Sequence, residues 1–333
     1  MKKAILSLSI FFIPIIYSLA CTTFVIKTEN ELVFGRNLDW LSDIGIIAVN
    51  KRNVNKTSLV FPPEKPIDWT SKYGSVSFNQ YGVEFPFGGI NEKGLVIEIM
   101  LAPAQYEKYD RRKAVNELQW IQYHLDNSAS IEDVISSKDY LQISPIEQQL
   151  HYLVCDSSGN TAVIEFINNS MVVYKDDNLP VSVLENEPYK TSLTNFKNNS
   201  ECRFTTAAQM VKNYEPEKPI IDYSFQILNE VVLSGEWSIV YDIKKMKVYF
   251  KTVSNKKTRE FAINTFNFDC SSPTLIYDLQ QSKGGKIDNL FMSFNAKFNK
   301  EKIKDAVRLN NNLIPDDMLL QFNDYHKSCS CLN

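Results

Sequence analysis

Cys21 is the residue with the clearest potential for chemistry, because of what precedes it. Ser18 and Ala20 place small residues at the positions before Cys21 where signal peptidases cleave. Cleavage after Ala20 would leave Cys21 with both a thiol and a free α-amine. An α-amine has a reference pKa of about 7.7 to 8.0, so it can act as a general base near neutral pH. Cys21 could therefore give its thiol proton to its own nitrogen, without a histidine.

The segment before Cys21 has the pattern of a secretory signal peptide. Lys2 and Lys3 precede an apolar run at residues 4–17, which is shorter than the roughly 18 apolar residues of a membrane span. We expect a signal peptide at residues 1–20, a single domain at residues 21–333, and a periplasmic or secreted mature protein. A lipoprotein anchor also begins with a cysteine, so a non-enzymatic exported lipoprotein acylated at Cys21 is the alternative.

The residues after Cys21 predict a hairpin that returns two charged side chains towards it. Residues 22–27 and 31–35 have the pattern of two short strands joined by a polar turn. The second strand leads into Arg36 and Asp39. Asp39 could hold the amine of Cys21, and Arg36 could stabilise its thiolate. A surface ion pair between Arg36 and Asp39 is the alternative that local sequence leaves open.

Composition argues against several other functions. The net charge of −3 provides no basic surface for nucleic acid. None of the three histidines lies at metal-ligand spacing from another, so we expect no metal and no cofactor. No segment after the leader is apolar for long enough to span a membrane. Six cysteines in 333 residues are too few for a disulfide scaffold, and Cys329 and Cys331 could each bond elsewhere or stay free.

A series of short motifs follows Cys21 in a fixed order. They are CTTF at 21–24, FGRNLDW at 34–40, DWTSKYGSV at 68–76, GINEKGLV at 89–96, WIQYHLDN at 120–127, GNTAVIEF at 159–166, ENEP at 185–188 and CRF at 202–204. In this order they resemble the choloylglycine hydrolase family of conjugated bile salt hydrolases and penicillin V acylases, and most of all its Gram-negative branch. The resemblance reaches about residue 252, and the C-terminal quarter matches weakly.

The resemblance implies a role for each matching polar residue. Cys21 matches the family nucleophile, and its amine matches the general base. Arg36 and Asp39 match the arginine and aspartate that orient and polarise that cysteine. Asn186 matches the asparagine whose side-chain amide donates to the oxyanion, and Arg203 matches the arginine that closes the polar network around the intermediate.

Two departures from the family pattern concern the oxyanion site. An asparagine that donates to the oxyanion in many Gram-positive bile salt hydrolases aligns near Leu101, so only the backbone N–H of Leu101 could serve here. Glu185 and Glu187 flank Asn186, where the family more often has threonine and serine. These carboxylates could raise nearby pKa values or repel an anionic product.

The fold class follows from the resemblance. Periodicity alone predicts only a mixture of helices and strands, whereas the family implies an α+β, four-layer αββα sandwich of the N-terminal-nucleophile hydrolase type. The predicted strands are 22–27, 31–35, the pair within 88–101, 150–155, 161–167, 238–242 and 247–252. The predicted helices are 114–126, 131–138, 204–212 and 224–233. The family resemblance also implies a homo-oligomer, a tetramer.

The substrate class implied is a small-molecule N-acyl amide with a linear C–N bond. Conjugated bile salts, penicillin V and N-acyl homoserine lactones all fit that description. We expect residues 40–47, residues 80–87 and the stretch after Leu101 to select among them. For residues 80–85 a buried strand is an equal alternative to a pocket wall.

Overall fold

The computed structural model describes residues 20–146, 148–310, 314 and 316–332. The predicted signal peptide falls almost wholly outside these residues. In chain order the strands are β1 (Thr22–Lys27), β2 (Leu32–Leu38), β3 (Ile46–Asn50), β4 (Val54–Thr57), β5 (Lys65–Pro66), β6 (Asp68–Thr70), β7 (Ser75–Asn79), β8 (Pro86–Asn91), β9 (Val96–Leu101), β10 (Lys113–Val115), β11 (Leu141–Ile143), β12 (Leu150–Cys155), β13 (Thr161–Ile167), β14 (Ser170–Lys175), β15 (Val183–Glu185), β16 (Trp237–Asp242), β17 (Lys247–Thr252), β18 (Arg259–Ala262), β19 (Leu275–Asp278), β20 (Gly285–Lys286), β21 (Met292–Ser293) and β22 (Ser330–Cys331).

The α-helices lie between and after these strands. They are α1 (Glu117–Asn127), α2 (Ile131–Ser136), α3 (Tyr189–Lys197), α4 (Arg203–Lys212), α5 (Ile220–Val231), α6 (Ala296–Leu309) and α7 (Asp316–Asp324). No helix in the described residues is long and apolar enough to cross a membrane.

Two large sheets form the centre of the molecule. The first has seven strands in the order β15-β1-β2-β16-β17-β18-β20, and the second has nine strands in the order β14-β13-β12-β9-β8-β7-β3-β19-β21. Two small three-stranded sheets, β11-β10-β5 and β22-β4-β6, lie beside them. The long pairings in both large sheets are antiparallel, as in β1 with β2 and β9 with β12.

Aromatic side chains fill the space between the two large sheets. Phe78 of β7 lies with its ring centroid 6.2 Å from Trp237, 6.3 Å from Tyr241 and 5.6 Å from Phe250. Alternate residues of a strand face the same side, which places Trp237 and Tyr241 of β16 on one face, towards the nine-stranded sheet. All four side chains are buried, so this aromatic layer is the core that holds the sheets together.

Helices cover the outer faces of both sheets. Helix α1 packs over β8 and β9, where the side-chain amide of Asn91 donates to the carbonyls of Leu125 and Ser128 at 3.0 and 2.8 Å. Helix α5 packs over β2 and β16, where Asn37 Nδ2 donates to the Leu228 carbonyl at 2.7 Å. The order helix, sheet, sheet, helix is the predicted four-layer αββα sandwich.

The observed elements correct several predicted boundaries. Strand β2 continues to Leu38 rather than ending at residue 35, because its pairing with both β1 and β16 extends through Arg36 and Asn37. Helix α1 begins only at Glu117, since Asn116 is its N-cap and residues 113–115 form β10. Ser130 caps α2 as predicted. Residues 80–85 form a loop rather than a strand.

Candidate active site

The antiparallel register places Cys21, which precedes β1, beside the ends of the two strands that flank β1, namely β2 and β15. Thr22, the first residue of β1, pairs with Asn37 near the end of β2 and with Glu185 at the end of β15. The residues just beyond those strand ends therefore lie beside Cys21. They are Asp39 after β2 and Asn186 after β15, which explains how residues far apart in sequence meet at one cysteine.

Cys21 is 2% exposed, and its backbone nitrogen points to Asn186. The N–H donates to Asn186 Oδ1; Ala20 is joined to Cys21 here, so this nitrogen is a peptide amide. Asn186 Nδ2 donates to the Leu101 carbonyl at 2.9 Å. Asn186 thus contacts Cys21 with one end of its amide and the Leu101 carbonyl at the end of β9 with the other.

Arg36 is completely buried beside Cys21, which rules out the surface ion pair. Its Nε lies 2.9 Å from Glu98 Oε2, and its Nη2 donates to the Ile99 carbonyl at 3.2 Å. Arg36 Nη1 has no hydrogen-bond partner among the described residues. An unpaired buried N–H of a cation strongly favours an anion nearby, so Arg36 can stabilise negative charge at Cys21.

Glu98 is the buried counter-charge of Arg36. The Tyr241 hydroxyl donates to Glu98 Oε1 at 2.5 Å, which joins both large sheets through one carboxylate. Burial raises the pKa of Glu98 to about 7, although Arg36 and the Tyr241 hydrogen bond oppose the shift. The Glu98 carboxylate, whose charge balances that of Arg36, therefore gains or loses its proton near neutral pH.

Asp39 is held rigidly by one of its two carboxylate oxygens. Its Oδ1 accepts the backbone N–H groups of Leu233, Ser234 and Gly235 at 3.2, 2.9 and 2.6 Å. Burial raises its pKa against those three hydrogen bonds. Oδ2 has no hydrogen-bond partner among the described residues and lies 3.9 Å from Arg203 Nη1. The free oxygen is an acceptor for an ammonium or amine.

Arg203, the first residue of α4, contacts the backbone around Cys21. Its Nη1 donates to the carbonyls of Ala20 and Cys21 at 3.0 and 3.2 Å and to Thr22 Oγ1 at 3.1 Å. Its Nη2 lies 3.5 Å from Glu185 Oε2. Glu185 is therefore buried opposite a guanidinium, with its pKa raised by burial and lowered by Arg203.

Glu187, the other carboxylate beside Asn186, differs from Glu185 because it is exposed. The sequence grouped the two as one acidic pair. In the structure only Glu185 belongs to the buried polar network.

The environment of the Cys21 thiol favours its protonated form. Burial raises its pKa, while the Arg36 guanidinium, a hydrogen bond from the Asp39 backbone N–H and Arg203 lower it and the Asp39 carboxylate raises it. The net direction is upward. A thiol in this position needs a base to become a nucleophile.

Cys21 opens into a mainly apolar cavity of about 620 Å³ of empty space, its mouth included. The described residues that line it are Cys21, Arg36, Leu38, Trp40, Tyr81, Phe87, Ile99, Met100, Leu101, Glu117, Leu118, Ile146, Gln148, Leu150, Ile314 and Phe322. Residues 40–47 contribute Trp40, and residues 80–87 contribute Tyr81 and Phe87. After Leu101, the next described residue along the chain that lines the cavity is Glu117.

The sequence reasoning missed Glu98, Tyr241 and the C-terminal lining residues. A single glutamate within the apolar string VIEIML at residues 96–101 was a usable signal for Glu98, since a buried carboxylate needs a partner. Ile314 and Phe322 carried no such signal.

Comparison with known proteins assigns the chain to a family. Residues 21–216 match the family model of linear amide C–N hydrolases, choloylglycine hydrolase family. The chain belongs to the choloylglycine hydrolase family. The matched region begins at Cys21 and contains Arg36, Asp39, Asn186 and Arg203.

Individual relatives of the family extend the comparison. Over 248 residues the chain is 29% identical to a penicillin V acylase of Pectobacterium atrosepticum, covering 61% of this chain and 62% of that protein. The chain thus matches somewhat less than two thirds of that relative's length.

Solved structures of family members have the same fold. The penicillin V acylase of Agrobacterium tumefaciens superposes with a TM-score of 0.73 at 21% identity, covering 83% of this chain and 98% of that one. A mutant conjugated bile acid hydrolase of Clostridium perfringens gives a TM-score of 0.66 at 19% identity, covering 80% and 98%. The predicted fold class is confirmed.

Proposed function

We propose that this choloylglycine hydrolase family member hydrolyses a linear amide with Cys21 as nucleophile, after cleavage of the Ala20–Cys21 bond and export of the mature chain. The observation that carries the proposal is the position of Cys21. Cys21 lines an apolar cavity, while its own nitrogen donates a hydrogen bond to Asn186. Both atoms that the chemistry requires belong to one residue.

The first chemical step is formation of the tetrahedral intermediate. The α-amine takes the thiol proton, and Sγ attacks the carbonyl carbon of the substrate amide. Asp39 Oδ2, which has no partner in the described residues, accepts a hydrogen bond from the resulting ammonium. Arg36 stabilises the thiolate from the opposite side. Asn186 Nδ2 and the Leu101 backbone N–H donate to the oxyanion.

Asn186 has to change partners for this role. Its Nδ2 now donates to the Leu101 carbonyl, so the oxyanion would replace that carbonyl as acceptor. The ammonium then protonates the leaving nitrogen as the C–N bond breaks, which leaves a thioester on Cys21. Water hydrolyses the thioester, releases the acid and restores the thiol. The residues present supply each proton transfer, and no cofactor enters the scheme.

The cavity favours an apolar acyl group. Its lining includes aromatic and aliphatic side chains from both large sheets, and the charged side chains within it, Arg36 and Glu117, are buried. The exposed carboxylate of Glu187 adjoins Asn186, where a leaving group would pass. We therefore rank neutral N-acyl amides, such as N-acyl homoserine lactones, at least as high as anionic taurine conjugates.

The decisive experiment compares the chain beginning at Cys21 with a form that keeps Ala20. Both are tested against glycocholate, taurocholate, penicillin V and N-acyl homoserine lactones. We expect turnover only from the form with a free amine, with both forms equally folded by circular dichroism. Equal turnover by the two forms contradicts the mechanism.

Two variants and one mass measurement complete this test. Cys21→Ala should abolish turnover, and Cys155→Ala is the matched control because Cys155 is a buried thiol of β12 outside the cavity lining. The mass of the exported N-terminus separates the alternatives. A free cysteine supports the hydrolase, whereas a diacylglyceryl adduct identifies the lipoprotein.

A further inference from the structure

The C-terminal part of the chain contributes directly to the cavity at Cys21. Ile314 and Phe322 line it and are 8% and 3% exposed. Both lie beyond residues 21–216, where the family model matches. We call residue 314 together with residues 316–332 the C-terminal cap. The cavity wall thus combines the family core with a segment that the family match does not cover.

A chain of aromatic contacts connects the nucleophile region with the cap. Trp40, which follows Asp39, lies 6.2 Å from Phe87 between ring centroids. Phe87 lies 5.6 Å from Tyr81, and Tyr81 stacks on Phe322 at 6.2 Å and 6° between ring planes. All four rings line the cavity. Three ring contacts therefore separate Phe322 from Trp40 along this wall.

Further contacts fix the position of Phe322. Its ring centroid lies 4.2 Å from Phe85, which also contacts Tyr325 at 5.1 Å. The Tyr325 hydroxyl donates to the Thr57 carbonyl at 2.7 Å. Aromatic pairs of this kind stabilise the packing beyond the area they bury. Phe322 is therefore a fixed part of the wall and not a surface side chain resting on the opening.

The end of α6 joins two of the loops that line the cavity, just before the cap begins. Asn310 is fully buried, and its Nδ2 donates to Gln80 Oε1 at 2.8 Å and to the Tyr81 hydroxyl at 3.2 Å. Its Oδ1 accepts from Ser42 Oγ at 3.2 Å. One side chain thus holds the loop after β2 and the loop after β7 at the point where the chain enters the cap.

The far end of the cap is tied to the nine-stranded sheet region by a covalent bond. Cys331 forms a disulfide with Cys270, across 61 residues of sequence. Strand β22 pairs with β4 at the same place. The cap is therefore anchored at both of its ends, with Phe322 between the anchors.

We propose that Ile314 and Phe322 are specificity-determining residues that set the length of the acyl group the cavity accepts. This inference rests on the proposed function, and it assigns the C-terminal cap the role of end wall of the acyl pocket. The matching ligand chemistry is an apolar acyl chain whose carbonyl lies at Cys21 and whose far end meets Phe322. Residues at an end wall contact the far part of a long substrate and leave the reacting atoms untouched.

The test measures kcat and KM for N-acyl homoserine lactones with straight acyl chains of increasing length. Removing the ring in Phe322→Ala should raise the ratio of kcat/KM for long over short chains by about tenfold, a usual size for pocket discrimination by apolar volume. For short chains the loss should appear in KM, with kcat nearly constant. Ile314→Ala should change the same ratio in the same direction.

Leu320→Ala is the matched control, because Leu320 lies on the same helix and is 59% exposed. It should leave the length preference unchanged. Phe322→Leu keeps most of the apolar volume and should fall between the wild type and Phe322→Ala, and it provides the answer if Phe322→Ala does not fold. A uniform change for all chain lengths, or an effect equal to that of Leu320→Ala, overturns the proposal.

A second readout does not depend on turnover. The rate of Cys21 alkylation by N-phenylmaleimide is compared with that by iodoacetamide, with the Cys21 peptide identified by mass spectrometry. Phe322→Ala should raise the ratio of the bulky to the small reagent, and Leu320→Ala should not. If the wild type hydrolyses no amide, the proposed function fails, while this ratio still decides whether Phe322 limits the cavity. If the ratio of the two alkylation rates is unchanged in Phe322→Ala, Phe322 is not the end wall of the cavity.

Discussion

Arg36, which lies near Cys21, forms a buried ion pair with Glu98. Glu98 is fully buried, and its pKa is raised to about 7. A carboxyl group with a raised pKa stabilises the fold most below its unfolded pKa, and this contribution is lost as the pH rises towards the folded pKa. The relevant pH range here runs from the ordinary value near 4.5 to about 7.

Glu98→Gln should therefore change how stability depends on pH. The rise of the Glu98 pKa from 4.5 to about 7 corresponds to about 3 kcal/mol. We expect the wild type to lose about that much free energy of unfolding relative to Glu98→Gln between pH 4.5 and pH 7. Urea unfolding at several pH values measures it. Tyr241→Phe removes a hydrogen bond that lowers the Glu98 pKa, so it should move the loss to higher pH. If the free energy of unfolding changed with pH in the same way for the wild type and for Glu98→Gln, the raised pKa of Glu98 would be refuted.

Asp39 provides a second prediction for a single residue. Asp39→Asn keeps an oxygen for the three backbone N–H groups and removes a negative charge that acts on Cys21. Since proton transfer by a positioned group contributes about 10² to 10⁴ in rate, we expect kcat to fall by at least about 100-fold. Thermal unfolding should show that the variant is folded. A fall seen only in KM would assign Asp39 to substrate binding instead.

The sequence predicted part of this group of residues. Arg36 and Asp39 could be placed near Cys21 because a short hairpin connects them, and Asn186 and Arg203 only because the family resemblance assigned them. Glu98 was missed, since its partner Arg36 lies 62 positions away in sequence and no local pattern encodes their pairing. The role of the Leu101 N–H stays a prediction.

At the scale of elements, the hairpin of β1 and β2 determines the geometry of the site. Gly35 of β2 faces Phe24 of β1, and a Cβ at Gly35 would lie 2.3 Å from the Phe24 ring. No side chain fits there unless the ring moves. The close packing of β1 against β2 therefore fixes the positions of Arg36 and Asp39 relative to Cys21.

Gly35→Ala should consequently weaken both the fold and the activity. Overpacking of a core typically costs about 1 to 3 kcal/mol, which urea unfolding would measure as a lower midpoint. The double variant Gly35→Ala, Phe24→Leu should recover part of that loss, because the smaller side chain makes room. If the double variant is no better than Gly35→Ala, the contact with Phe24 is not the cause.

Element types were predictable where periodicity was strong, and the ends of elements were not. Strands β12 and β13 were predicted at their observed residues, since both alternate or run apolar between clear turns. Strand β2 was predicted too short, because its last residues pair with β16, which lies some 200 residues later in sequence. Such pairing depends on tertiary structure and leaves no local sequence signal.

For the molecule as a whole, the disulfide Cys270–Cys331 closes the C-terminal part of the chain onto the core. Closing a loop of this length stabilises the folded state by about 4 kcal/mol in the chain-entropy model. Cys331→Ser should lower the free energy of unfolding by a similar amount, and reductant should lower it in the wild type and leave Cys331→Ser unaffected. If reductant lowered the free energy of unfolding equally in both proteins, its effect would not come from the Cys270–Cys331 disulfide.

The pairing of Cys331 could not be predicted from the sequence. Six cysteines allow many pairings, and spacing excluded only the bond between Cys329 and Cys331. The single domain, the tetramer and the cellular location also stay predictions. What the sequence did predict for the whole molecule is the layered architecture, through the family resemblance rather than through periodicity.

Gly88 of β8 lies directly opposite Glu98 of β9, and a Cβ there would come within 2.0 Å of the carboxylate. The absence of a side chain on one strand thus makes room for the acid that the next strand supplies to Arg36. We therefore expect the two sites to form an epistatic pair in evolution. Lineages that keep the acid should tolerate only glycine at position 88, and larger residues should be accepted there only after the acid has been lost.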